Sequence, residues 1–143
     1  MTRIEEKPEV TLGRMIREAG LPEPVPQYRF CPWRQFRADY GWPPPVKVLL
    51  EYEGATWRPH RGHSSGAGIR RDVEKQNIAS YLGYRVFRVT VDMLRDDAEM
   101  ADLFEMIREH VAKRISREAI LSMFLNLRSD GVGNKGGGTD GGE

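Results

Sequence analysis

The sequence contains little cysteine, no excess of charge of one sign and no long apolar run. Cys31 is the only cysteine among 143 residues, which excludes an internal disulfide framework and, since the histidines are scattered, a zinc cluster. The formal net charge is +1, so a nucleic-acid partner must be argued from where the charges lie. The lack of an apolar run, with Glu5 and Glu6 near the N-terminus, predicts a cytoplasmic (intracellular) protein with no membrane partner.

The composition predicts one domain followed by a tail. A hydrophobic fraction of 39% suits a single domain with a modest core, which we place over residues 1–128. Residues 129–143 are mostly Gly, Asp and Asn with almost no apolar side chain, so they predict a disordered Gly-rich tail.

Hydrophobic spacing predicts an alternation of helices and strands. The first predicted element is a helix over 8–19 that stops at Gly20, followed by a proline-rich connector over 21–27. One or two strands over 28–42, a strand over 46–53 and a glycine-rich loop come next. The chain then continues with a helix over 69–82 that stops at Gly83, a strand over 84–91, a helix over 97–115 and a further helix capped by Ser116. A helix between two strands indicates a crossover, so the prediction is an α/β or α+β domain with a mixed sheet.

Three acids fall on the predicted central strands. Asp39 lies in one, while Glu51 and Glu53 end VKVLLEYE and share a face because side chains alternate along a strand. Like charges crowded on one face repel unless a cation neutralises them, and Mg²⁺ prefers carboxylate oxygens. The pattern therefore predicts a site for Mg²⁺ or Mn²⁺. A solvated strand face is the simpler alternative for Glu51 and Glu53 alone.

The segment between Glu53 and Asp72 contains no acid and is basic. Its candidate phosphate contacts are Arg58, Arg61, Arg70 and Arg71. Trp57 could stack on an unpaired base, and His63 could contact phosphate or transfer a proton. A solvated, flexible loop accounts for the same residues equally well.

The order of these segments resembles the PD-(D/E)xK nuclease superfamily, near the very-short-patch repair endonucleases. The resemblance covers roughly residues 8–93 and is carried by Arg37-Ala38-Asp39, Leu50-Glu51-Tyr52-Glu53-Gly54, Asp72-Val73-Glu74-Lys75-Gln76-Asn77 and Leu82-Gly83-Tyr84-Arg85-Val86, with His63 in the loop. It implies a single restriction-endonuclease-like domain with an αβββαβ core, here with extra C-terminal helices.

The resemblance also implies roles for individual residues. Asp39 corresponds to the motif aspartate, Glu51 to its D/E position, and Glu9 to the acid often found on the first helix, so all three are expected metal ligands. Glu53 stands where the superfamily usually has lysine, and it is expected to bind metal or to orient water. Lys75, on the following helix, is placed to replace that lysine and to stabilise the attacking water or the scissile phosphate.

The sequence thus predicts an Mg²⁺- or Mn²⁺-dependent DNA endonuclease with no small-molecule cofactor, acting on branched, mismatched or nicked DNA. A homodimer is compatible with this function, because cleavage of both strands often needs two active sites. Two alternatives stay open. One is a nuclease-like protein that binds nucleic acid without cleaving it, and the other is an adaptor whose terminal helices dock a partner.

Overall fold

The computed structural model describes residues 6–54 and 66–130, and only the backbone of 127–130. The elements are α1 (Pro8–Glu18), β1 (Val25–Arg29), β2 (Arg37–Trp42), β3 (Val48–Glu53), α2 (Gly66–Tyr81), β4 (Arg85–Thr90), α3 (Val91–Leu94) and α4 (Asp97–Asp130). The strands form one mixed sheet in the order β1-β2-β3-β4, in which only β3 and β4 are parallel. The predicted α+β class with a crossover helix between parallel strands is confirmed.

Helices cover both faces of the sheet. On one face, which we call the α4 side, Val48 and Leu50 pack with apolar side chains of α1 and α4. On the other, the α2 side, Leu49 and Ala38 pack with Ala79 of α2. Alternate residues of β3 therefore enter different cores, as the sequence pattern predicts. This alternation aims Glu51 and Glu53 toward α2.

Both predicted glycine stops are confirmed. Gly20 follows α1 with a φ of 71°, and Gly83 follows α2 with a φ of 83°, a region that glycine enters without steric cost. After Gly83 the Tyr84 amide donates to the Ala79 carbonyl at 2.9 Å, which closes the end of α2. This closure leads the chain directly into β4.

Several boundaries differ from the sequence prediction: α2 begins three residues earlier, at Gly66, and the short helix α3 was not predicted. Strand β1 begins at Val25, inside the segment predicted as a connector. It is an edge strand, where Pro26 can be accommodated without removing a bond from a central ladder. Helix α4 is continuous through Ser116, where a new helix was predicted, and it ends two residues inside the predicted tail. A serine is tolerated there because its side chain is exposed.

Helix α4 has two halves of different character. Its first half buries Met100, Leu103, Phe104, Ile107 and Val111 in the core on the α4 side. From Ile115 to Asn126 every side chain is exposed, including Phe124 at 65%. Within the described residues, no helix combines the length and apolarity needed to cross a membrane.

We expect this difference to appear in stability measurements. Replacing fully buried Ile107 with alanine should lower the free energy of unfolding by about 2–5 kcal/mol, because it leaves a cavity. Replacing Phe124 with alanine should change it by less than about 0.5 kcal/mol. Urea unfolding followed by circular dichroism measures both. A large loss in Phe124→Ala would show that the second half of α4 is packed in solution.

Candidate metal and phosphate site

The predicted acids meet at the C-terminal end of β3. A cavity of about 190 Å³ opens there between the sheet and α2. Its lining residues are Arg37, Asp39, Glu51, Tyr52, Glu53, Asp72, Lys75 and Arg88. Strands β2, β3 and β4 and helix α2 all contribute, so residues far apart in the sequence converge on one site. Asp39, Glu51, Glu53 and Lys75 are brought together as the sequence analysis expected.

A break in the alternation of β2 places Asp39 in this cavity. Ala38 packs on the α2 side, whereas Tyr40 packs on the α4 side, although a regular strand would put both on one face. The pairing of β2 with β3 ends at Tyr40 and Leu50. Beyond that pair, the Tyr52 amide donates to Asp39 Oδ2 at 2.8 Å. The Asp39 carboxylate thus accepts the hydrogen bond that a backbone carbonyl of β2 would accept in a regular sheet. Irregularities of this kind change the direction of side chains in other sheets as well.

Glu51 is the only charged residue that is buried among the described residues, with 9% of its surface exposed. Lys75 Nζ donates a hydrogen bond to Glu51 Oε1 and forms an ion pair with it. Lys75 reaches the sheet because it lies one helical turn before Ala79, which is buried against the sheet. The side of α2 that meets the sheet therefore carries Lys75 and Ala79.

Glu53 also has a cationic partner. Arg88 on β4 forms an ion pair with Glu53 Oε1 at 3.1 Å and donates a hydrogen bond to Gln76 Oε1 of α2 at 2.6 Å. Four carboxylates and three cationic side chains line the cavity together. The mutual repulsion that led us to predict a metal is thus largely offset by Lys75 and Arg88, and repulsion alone does not require an ion.

The predicted set of metal ligands is only partly assembled. Within residues 6–54 and 66–130, no group of three or more Asp, Glu, His or Cys side chains is arranged to hold a metal ion. Glu9 is not among the residues that line the cavity, and its backbone carbonyl accepts a hydrogen bond from the Tyr40 hydroxyl at 2.8 Å. Asp39 and Glu51 fit Mg²⁺ or Mn²⁺ as a pair, because such ions often take one or two carboxylates and complete their shell with water and phosphate.

Of the four arginines predicted to contact phosphate, the structure describes Arg70 and Arg71. Arg70 and Arg71 lie near the start of α2 and are exposed, and the Arg71 guanidinium lies 5.7 Å from the centroid of the Phe36 ring. Both precede Lys75 by about one turn, on the same helix. Trp57, Arg58, Arg61 and His63 lie outside the described residues.

Two cationic residues of the cavity were missed by the sequence analysis. Arg88 lies opposite Glu51 in the parallel pairing of β3 with β4, and its neighbour Val89 faces the α4 side. The alternation of β4 could have revealed that Arg88 faces α2. No local signal marks Arg37, since its position depends on the irregular backbone beside it.

Comparisons of this chain with protein-family models, with curated proteins and with solved structures find no match. A function must therefore be inferred from the geometry and from the sequence pattern.

The contact between Lys75 and Glu51 can be tested by a double-mutant cycle. Because the Glu51 and Lys75 side chains are only 12% and 24% exposed, we expect Glu51→Gln and Lys75→Met to show a coupling of about 1–3 kcal/mol in unfolding free energy. The matched cycle of Glu53→Gln and Arg88→Met should give about 0–1 kcal/mol, because those side chains are 39% and 41% exposed. Equal couplings would mean that the buried pair is no stronger than the exposed one.

Proposed function

We propose that this protein is a metal-dependent DNA endonuclease of the PD-(D/E)xK type. The observation that carries the proposal is the convergence of Asp39, Glu51 and Lys75 on one cavity. Two carboxylates with a lysine beside them are the groups that metal-assisted attack on a phosphodiester uses. The additional cations, Arg37 and Arg88, give the cavity a capacity to hold phosphate oxygens.

The position of Lys75 supports the proposal beyond the motif itself. The sequence has Glu53 where the superfamily usually has lysine, and this departure weakens the resemblance. Lys75 comes from the next helix, yet its ammonium group contacts Glu51, the residue at the D/E position. A lysine relocated from strand to helix supplies the same charge at the same cavity. The order of α1, the four strands and α2 also agrees with a restriction-endonuclease-like core.

The roles follow from the contacts. Asp39 and Glu51 would hold Mg²⁺ or Mn²⁺; when bound, such an ion lowers the pKa of coordinated water and offsets charge on phosphate. Lys75 would orient the attacking water or stabilise the scissile phosphate once it shares Glu51 with the ion. Glu53, paired with Arg88, serves to position that guanidinium rather than to ligate metal. Arg70 and Arg71 would contact the flanking phosphates.

A second candidate function is binding of nucleic acid without cleavage. The ion pairs of Glu51 with Lys75 and of Glu53 with Arg88 favour it, because they satisfy the carboxylates with no metal present. Calorimetry with Mn²⁺ separates the two functions. A catalytic site should release heat on binding Mn²⁺, and Glu51→Gln should abolish that heat, whereas a protein that only binds DNA should give none in either form.

We expect nicking or cleavage of branched, mismatched, nicked or plasmid DNA in Mg²⁺ or Mn²⁺ and none with a chelator. Asp39→Asn, Glu51→Gln and Lys75→Met should each lower the rate by about 100-fold or more, because each removes a group proposed to act on the transition state. Asp102→Asn, an exposed change on α4 away from the cavity, is the matched control and should retain full activity. Chelator-resistant cleavage, or an active Asp39→Asn protein, would contradict the site assignment.

A further inference from the structure

A second groove lies at the opposite end of the sheet from the acidic cavity. It has a volume of about 610 Å³ and runs between α4 and the turns that lead into β3 and β4. One wall is formed by Pro44, Pro45, Lys47 and Gly83, and the other carries Arg114 and Arg117 of α4. Lys47 precedes β3 and Glu53 ends it, so the two sites are about 20 Å apart along the strand.

The groove is rich in positive charge. Three cationic side chains line it against a single acid, Glu118, and Lys113 lines the groove that adjoins it on α4. The described ion pairs of this protein involve none of these cations. Their known hydrogen bonds go to neutral groups: Lys47 Nζ donates to the Leu82 carbonyl at 3.0 Å, and Arg114 Nε donates to His110 Nε2 at 3.4 Å. Their charge is therefore not cancelled by a carboxylate in contact.

The pKa of His110, which lies on α4 close to the groove cations, is affected by the same positive charge. Partial burial lowers the pKa of its imidazole, and the nearby cations Arg85, Arg114 and Lys113 lower it further. A neutral imidazole is also what the Arg114 hydrogen bond requires, since Nε2 must accept. An anion bound in the groove would relieve the repulsion that this side chain experiences.

We propose that this groove binds the phosphodiester backbone of DNA, as a contact surface separate from the acidic cavity. Arginine and lysine at an open groove suit a chain of phosphates, which passes through rather than being enclosed. The lining contains no aromatic side chain on which a base could stack, so the contact should be insensitive to base sequence. A DNA strand reaching from this groove to the cavity must span at least about six nucleotides, at 3.4 Å each.

The shape of the site favours a nucleic acid over an anionic membrane surface. The cations line a concave groove with a wall of proline on its far side, which a flat bilayer could not enter. Of the exposed apolar side chains of α4, Leu121 lines this groove, whereas Phe124, Met123 and Ile120 do not. Binding in the groove needs no metal and no cleavage, so the inference does not depend on the proposed nuclease activity.

The test measures binding of a labelled duplex DNA to the full chain, in chelator, over a series of KCl concentrations. Arg117→Glu should weaken binding about tenfold and reduce the slope of log K against log [salt] by about one, because one phosphate contact is lost. Lys7→Glu makes the same change of charge at an exposed residue away from the groove, and it should alter affinity by less than about twofold. Arg117→Gln, a milder change at an exposed position, should weaken binding in the same direction and guards against a folding defect.

The proposal would be overturned if both Arg117 variants bound DNA with unchanged affinity, or if Lys7→Glu lost as much affinity as Arg117→Glu. It would also be overturned if inorganic phosphate competed at the same concentration as DNA phosphate, or if the protein showed Arg117-dependent binding to phosphatidylglycerol vesicles but not to DNA. In support, an NMR titration should show that DNA raises the pKa of His110 in the unaltered protein. Arg117-dependent binding in chelator, by a protein that cleaves no DNA in Mg²⁺ or Mn²⁺, would support this groove and count against the proposed nuclease, so the two failures are distinguishable.

Discussion

A buried carboxylate on the central part of the sheet needs a cation, and α2 supplies it. Glu51 lies on β3 beside the parallel strand β4, and its side chain is only 12% exposed. Leaving a buried carboxylate unpaired costs several kcal/mol, so Lys75 holds α2 against the sheet together with the apolar contact of Ala79. The arrangement of α2 on the sheet therefore couples the fold to the candidate site.

The features that the sequence predicted are those set by local periodicity. The alternation of β3 placed Glu51 and Glu53 on one face, and both line the same cavity. That inference requires no knowledge of what lies opposite. Both glycine stops are local as well, because they depend on the backbone freedom of a single residue.

The features that the sequence did not predict depend on partners distant along the chain. The break at Asp39 lies where β2 stops pairing with β3, and the neutralisation of Glu53 needs the register that sets β4 beside β3. The sequence pattern predicted repulsion among the acids because it shows only neighbours along the chain. The compensating Arg88 was missed because it is 35 positions away from Glu53. The continuity of α4 through Ser116 was missed because a capping residue signals a helix start only where the preceding chain is not already helical.

Under the proposed function, Lys75 and the metal ion would be successive partners of one carboxylate, Glu51. Magnesium sites that rely on one or two carboxylates are completed by substrate phosphates, so they hold their ion weakly until the substrate arrives. Until then Glu51 would remain an uncompensated buried charge unless a protein cation neutralised it. Lys75 satisfies that need, and if an ion took over the carboxylate, the ammonium group that contacts Glu51 would be free to stabilise a phosphate. A lysine on a helix, rather than on the strand that bears Glu51, can make this exchange by changing rotamers of a long side chain without disturbing the sheet.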